Sequence, residues 1–230
     1  LIFFFHKKTE DSIFSKRITT FKKNKRGYYS LWIFIILLII TLPAEFIAND
    51  KPLLISYDNQ FYIPIFKNYP ETTFGGDFLT NTDYKDPYVR DLITQKGWMI
   101  WPLITFSYNT VNYDLNVPAP SPPNNLNLLG TDDQARDVLA RLIYGFRLSV
   151  IFGFLLTCLS SIIGIFVGAV QGYFGGLIDL LGQRFIEIWS GMPVLYLLII
   201  IASVVTPSFW MLLFLLLLFS WMNLVGVVRA

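Results

Sequence analysis

The sequence predicts an all-α, polytopic membrane protein that carries a small extracytoplasmic loop domain. Three observations point there. The chain is 54% hydrophobic and 15% charged, with a mean hydropathy of +0.52, whereas soluble domains carry roughly 25% charged residues. Charge gathers in residues 1–27 and 49–147 and is nearly absent from 148–178 and 188–228. Hydrocarbon excludes unpaired charge, so this alternation marks membrane spans. Four apolar runs, about 28–48, 148–170, 186–205 and 209–228, are long enough to cross a bilayer core of roughly 30 Å.

Residues 1–27 form a basic tail with Lys7, Lys8, Lys16, Arg17, Lys22, Lys23, Lys25 and Arg26 against Glu10 and Asp11. Basic tails can bind nucleic acid. This one runs straight into an apolar segment, so topology explains it better and no nucleic-acid partner is expected. The first transmembrane helix is expected at 28–48, with Tyr28, Tyr29 and Trp32 as an interfacial aromatic belt. Eight Lys/Arg precede it and only Lys51 follows closely, which places the N-terminus in the cytoplasm. A cut after Ala48 would put Phe46 where a signal peptidase wants a small residue, so a retained anchor is expected. The lone His6 cannot build a metal site or a triad, which need several convergent groups. Cys158, the one cysteine, excludes an internal disulfide and reads as a small apolar residue.

Residues 49–147 are then extracytoplasmic. Between Asp50 and Arg147 lie eleven acidic and eight basic residues. Strand-like runs at Gln60–Phe66 and Trp98–Tyr108 suggest a small ordered domain held by its own packing, and Pro118, Pro120, Pro122 and Pro123 interrupt regular structure late in it. A helix is expected to begin at Thr131, where Thr131 and Gln134 fit a capping box and Asp132 and Asp133 suit the positive end of the dipole. Val138, Leu139, Leu142, Ile143 and Phe146 recur at helical spacing, so this helix is amphipathic and leads into the membrane. Arg136, Asp137 and Arg141 face the other way and read as a solvated side.

In the second span Ser160, Gly164, Gly168, Gly172 and Gly176 recur every fourth residue. That spacing lets another helix approach backbone to backbone, so these are helix-packing positions. Gly172-Tyr173-Phe174-Gly175-Gly176 should end the span in a cytoplasmic turn. Arg184 and Glu187 are one turn apart and can pair, either as a functional site or as an interfacial pair that sets helix depth. Pro193 should kink the third span. Ser190, Gly191, Met192 and Pro193 combine that kink with small or soft side chains and are candidate path or hinge residues. The sequence starts at Leu1 and stops at Ala230, so a longer reading frame is expected.

Three segments together resemble the permeases of dipeptide and oligopeptide ABC importers. Leu129–Arg141 is similar to that family's LGTDxxGRDxxSR element through Gly130, Thr131, Asp132, Arg136, Asp137 and Arg141, with Ala135 for the usual Gly and Ala140 for the usual Ser. The Gly172–Gly176 turn with Asp179, Arg184, Glu187 and Pro193 resembles the family's D-x4-R-x2-[D/E]-x5-P element. Val228-Arg229-Ala230 resembles the opening of its coupling loop. The long outside loop, Ala48–Leu54, Ser121-Pro122-Pro123 and Trp189–Pro193 resemble the Yej-type permeases of microcin C and oligopeptides. The resemblance implies a type I importer permease with six helices, of which four are present here, the coupling loop and last two helices lying beyond Ala230. It also implies a bacterial inner-membrane location, a second permease subunit, two ATPase subunits and a periplasmic substrate-binding protein as partners. No cofactor is expected on this chain, ATP being used by the partners, and a piece without the coupling loop should not couple transport to ATP.

The residues themselves show no G-x4-G-K-[S/T] phosphate loop and no nucleophile–base pair, so an enzyme is not expected. Part of a translocation path working by alternating access is the leading function. An ion-coupled secondary transporter would keep ionisable groups near midplane, which the four spans lack. A membrane-anchored extracytoplasmic binding domain built on 49–147 is the third reading.

Overall fold

The computed structural model describes residues 13–115 and 117–230. His6, Lys7, Lys8, Glu10 and Asp11, discussed above, fall outside the described residues. The chain divides into two units, Leu1–Arg147 and Leu148–Ala230.

The first unit opens with α1 (Ile13–Lys23) and α2 (Lys25–Thr41), joined at Asn24, whose side chain accepts from the Gly27 N–H at 3.3 Å. The expected 28–48 helix is corrected here. α2 has 17 residues and stops at Thr41, and α3 (Ala44–Ile47) is a separate turn. Pro43 is the cause, since it has no N–H to continue the ladder and its ring crowds the preceding turn. Seventeen residues sit at the short end of what can cross the hydrocarbon core.

A three-stranded antiparallel sheet follows, in the order β2-β1-β3, from β1 (Leu54–Tyr57), β2 (Gln60–Tyr62) and β3 (Gly97–Ile100). The strands are shorter than the runs expected at 60–66 and 98–108, and β1 was not anticipated. β1 and β2 close through Asp58 and Asn59, both at positive φ (49° and 58°), the pairing a two-residue hairpin requires. α4 (Pro87–Lys96) was also not anticipated; Asp86 caps it by accepting from Tyr88 N–H at 2.8 Å, with Pro87 at the first helical position. Alternation in β1 turns Ile55 and Tyr57 inward onto Val89 and Ile93 of α4. Phe74 is fully buried at the centre, with Tyr57, Tyr62, Tyr69 and Tyr84 edge-on to it at 5.3–6.3 Å. Such pairs add to plain area burial because ring edges and faces carry opposite partial charge. A second small core joins Ala48, Ile104, Phe106 and Ala140.

α5 (Val138–Phe174) is one helix of 37 residues, about 55 Å long. The expected amphipathic lead-in and the span at 148–170 are therefore parts of a single helix, and its start lies seven residues after Thr131. In the second unit the rest of α5 is followed by α6 (Gly176–Ser190), α7 (Val194–Val204), α8 (Phe209–Ser220) and α9 (Met222–Arg229). Among the described residues, α5 and the α8–α9 run are long and apolar enough to cross a membrane, and α6 with α7 makes a third span if counted together. The expected single span at 186–205 is corrected: α6 and α7 are bent by 64° at the break between them.

Candidate functional site

The element at 127–141 is built from polar side chains that satisfy one another. Asp137 is fully buried, not on a solvated face as expected. Its Oδ1 accepts from the Ala140 N–H at 2.7 Å, so Asp137, and not Thr131, caps α5. Its Oδ2 accepts from the buried Asn127 amide at 2.8 Å, and Asn127 in turn accepts from Asn112 at 2.9 Å. A buried carboxylate is expensive unless hydrogen-bonded, and these donors meet that requirement. Thr131 instead faces Ser121: its Oγ1 accepts from Ser121 N–H at 2.9 Å. Gly130 lies at φ +75°, and a Cβ there would stand 2.4 Å from the Ser121 carbonyl, so only glycine fits.

Asp132 organises the turn before the helix. Its Oδ1 accepts from the Gln134 and Arg136 N–H groups, each at 2.9 Å, and its Oδ2 from Arg136 Nε at 2.9 Å and from Arg141 Nη1. Burial pushes its carboxyl up, but the Arg136 and Gln134 hydrogen bonds and the Arg136 charge outweigh that and hold it at about 2. Ala135, standing where the resembled motif has glycine, is held at φ +58°, a left-handed geometry that strains a side-chain-bearing residue. The start of α5 is tied further by Tyr144, whose hydroxyl donates to Ala48 O at 2.8 Å, and by Arg147, which donates two bonds of 2.8 Å to Glu45 and one of 3.0 Å to Leu42 O.

The second unit is organised around the glycine face of α5. A Cβ on Gly164 would stand 2.7 Å from Trp221 O. On Gly168 it would stand 2.8 Å from Val228 Cβ, and on Gly172 3.1 Å from Arg229 O. The absent side chains are what let α9 lie against α5 at this distance. The outer members of the periodicity depart from the expectation. Ser160 donates back to Thr157 O on its own helix at 3.2 Å, and a Cβ on Gly176 would meet nothing within 4 Å. Gly176 serves the turn instead, Gly175 and Gly176 both having positive φ (58° and 55°). The glycine face ends in a polar group. Gln171, 4% exposed, accepts from Gln183 Nε2 at 2.7 Å, and Gly182 leaves room for it, since a Cβ there would meet its Nε2 at 2.4 Å. One turn away Arg229 Nε lies 2.7 Å from Asp179 Oδ1. This contact is ionic and not directional, for Asp179 Oδ1 accepts no hydrogen bond.

Ser190, Gly191, Met192 and Pro193 occupy the break. α6 ends at Ser190, the Gly191 N–H closes onto Glu187 O at 3.2 Å, and Pro193 leads into α7. The break is wider than a proline kink because Gly191 to Pro193 are non-helical together. Trp189, at its lip, stacks between Phe185 and Phe219 at 5.5 and 5.9 Å and donates to Leu218 O at 3.1 Å. Met192 lines an apolar cleft of about 230 Å³ between α7 and α8 with Trp189 and Phe219. Arg184 and Glu187 pair at 2.6 Å, both well exposed.

Two relatives match nearly the whole chain at over 50% identity. One is "Inner membrane ABC transporter permease protein YejE" of Escherichia coli K12, 53% identical over 93% of this chain and 63% of its own length. The other is "Peptidoglycan transport system permease protein YejE" of Agrobacterium fabrum, 52% identical over 94% of this chain and 62% of its own. The chain is a homologue of the Yej-type ABC permeases. A more distant relative, "Dipeptide transport system permease protein DppC" of Haemophilus influenzae, is 45% identical over 37% of this chain and 29% of its own length. No family model matches. The chain spans under two thirds of the length of the two Yej-type relatives it matches. This kinship and the apolar helices make it a membrane protein.

Against that Yej-type kinship, the motif residues fall into two groups. Gly130, Thr131, Asp132, Arg136, Asp137 and Arg141 come together around the start of α5. Asp179 meets Arg229, Arg184 meets Glu187, and Pro193 stands apart at the break. Sequence reasoning missed Gln171, Asn112 and Asn127, and gave Gln183 and Trp189 no contact of their own. Gln171 left a trace, an amide inside an otherwise apolar run; the two asparagines, in a loop rich in polar residues, left none.

Proposed function

We propose that this chain is part of the membrane-spanning permease subunit of an ATP-binding-cassette importer of short peptides, peptidoglycan-derived peptides among them, and that it forms part of the translocation path. The observation that carries this reading is the closure of the α5–α9 glycine face by the Asp179–Arg229 pair, in a chain that is about half identical to Yej-type permeases over nearly its whole length. In the resembled family the coupling loop opens at the positions of Arg229 and Ala230. A push on that loop would reach α6 through Asp179 and bend the chain at Ser190–Pro193, the hinge. Nucleotide binding on two ATPase partners then shifts inward- and outward-facing populations of a pair formed with a second permease subunit. A periplasmic binding protein delivers the cargo. The N-terminus is cytoplasmic, residues 49–147 lie outside, and the membrane is the bacterial inner membrane.

The test is complementation. A strain lacking its own Yej-type permease gene receives the whole reading frame, and uptake of a labelled muramyl peptide and of a labelled oligopeptide is followed. Restored uptake of either that disappears when the ATPase gene is deleted is the expected result. Uptake that persists without the ATPase and collapses with the proton gradient would overturn it.

A further inference from the structure

We propose that α1 lies in the membrane–water interface and holds anionic phospholipid headgroups at the elbow it makes with α2. This rests on reading α2 as membrane-spanning. Between Ser12 and Ala44 the chain carries Lys16, Arg17, Lys22, Lys23, Lys25 and Arg26 and no acidic residue. Among the described residues, none of these six takes part in an ion pair. All six are exposed and open to an anionic partner.

The helical register sorts the side chains of α1. At 3.6 residues per turn, Ile18 and Phe21 share one face, with 39% and 41% of their surface exposed. Lys16 and Lys23 lie opposite, with Thr19 and Thr20, and Arg17 and Lys22 flank the apolar face. A helix with this distribution lies flat in the interface, its apolar side toward acyl chains and its long cations reaching headgroups. The neighbouring aromatic residues fix the same level: Phe21 packs edge-on to Tyr28 at 6.4 Å, and Tyr28 on Trp32 at 6.2 Å, with aromatic side chains favouring the headgroup boundary.

The last turns of α1 carry a shallow hollow that reaches the joint at Asn24. This open hollow of about 500 Å³ is lined by Lys16, Arg17, Thr20, Phe21 and Asn24. Two cations, a hydroxyl and an amide are donors suited to phosphate oxygens, and Phe21 offers an apolar side for the glycerol and upper acyl chain. Charge complementarity and continuity with the span together select a lipid phosphodiester bearing net negative charge, such as phosphatidylglycerol.

The test uses the full 230-residue chain with Cys158→Ser. A single thiol is introduced by Ile18→Cys on α1 or by Ile36→Cys on α2 and carries an environment-sensitive fluorophore. Each protein is reconstituted into vesicles of phosphatidylcholine alone or with about one third phosphatidylglycerol, and quenched by lipids bearing shallow or deep nitroxides. Position 36 should be quenched by deep nitroxides in both vesicles. Position 18 should be quenched by shallow nitroxides, several-fold more with phosphatidylglycerol present, and this increment should vanish in high salt. Replacing Lys16, Arg17, Lys22 and Lys23 together by Gln should abolish the increment, each cation being worth about fivefold in association with an anionic surface, while leaving position 36 deep. Position 18 unquenched, or equally quenched in both vesicles, with position 36 deep, would overturn the lipid site and leave the span intact. Position 36 unquenched would overturn the span reading itself.

Discussion

The element from Asn127 to Arg141 and the glycine face of α5 hold the same helix by opposite means. Before α5, directed hydrogen bonds do the work. Asp137, Asn127 and Asn112 are buried and bonded in sequence, and Asp132 collects two arginines and two backbone N–H groups. Along α5, what matters is absence. Gly164, Gly168 and Gly172 present no side chain where α9 passes. A directed network is sensitive to losing an atom, and a close-packed glycine face is sensitive to gaining one. The contrast can be broken or sharpened by substitution.

The largest effect is expected at Asp137. Asp137→Ala removes the α5 cap and leaves the buried Asn127 amide without its acceptor, a combined loss of about 3 kcal/mol. Hydrogen exchange over 127–147 should rise sharply while exchange around Gly168 stays unchanged. Next is Gly168→Val, which places atoms within 3 Å of Val225 O and Val228 and should cost about 2 kcal/mol through overpacking. Denaturant titration of the detergent-solubilised chain would measure it. Gly153→Ala is the control on the same helix. Its Cβ meets nothing within 4 Å, and it should be neutral or stabilising by about 0.5–1 kcal/mol. Equal losses at 153 and 168 would erase the contrast.

Ala135→Gly should stabilise the polar element by about 1 kcal/mol, since the residue is held at φ +58° where a left-handed side-chain-bearing residue is strained; a thermal scan would show it. The pH dependence of that element follows from Asp132. Its folded pKa of about 2 lies below the ordinary carboxylate value, so its stabilisation is complete above about pH 4 and is lost as pH falls toward 2. Exchange of the Arg136 amide followed between pH 5 and 2 tests this, and a flat profile would contradict it. The smallest effect is expected at Asp179→Asn. With Arg229 and Asp179 side chains 37% and 23% exposed, the pair contributes less than about 1 kcal/mol to stability. On the proposed importer reading, the same change in the whole reading frame should reduce uptake far more than it reduces folding.

How far the sequence revealed these features depended on what each needs. The glycine periodicity was legible because backbone packing requires only that side chains be missing at one spacing, and that shows in one dimension. Its ends were not, because Gly176 answers to the turn. Pro193 announced a disturbance. The 64° break also needed Gly191 and Met192 to leave the helix, which a proline alone does not specify. Asp137 was misplaced to a solvated face because a charged residue beside two arginines reads as surface, and its partner Asn127 lies ten residues back in a loop. Thr131 and Gln134 matched a cap in spelling, while the helix is capped by Asp137, six residues further on. The Asp179–Arg229 contact spans fifty positions and no local pattern points to it. The Yej-type likeness was legible because it draws on several short segments at once.

Trp189 gives the break an optical handle. Its ring is sandwiched between Phe185 on α6 and Phe219 on α8, and its indole N–H is pinned to the Leu218 carbonyl. α7 and α8 line one cleft with Trp189, so where the two helices swing together, a change in the angle after Ser190 unstacks that ring or releases that bond. Either event changes the asymmetry and polarity around one chromophore. Near-ultraviolet dichroism and the emission colour of Trp189 should therefore follow the bend without any attached label, with a Trp189→Phe protein supplying the blank.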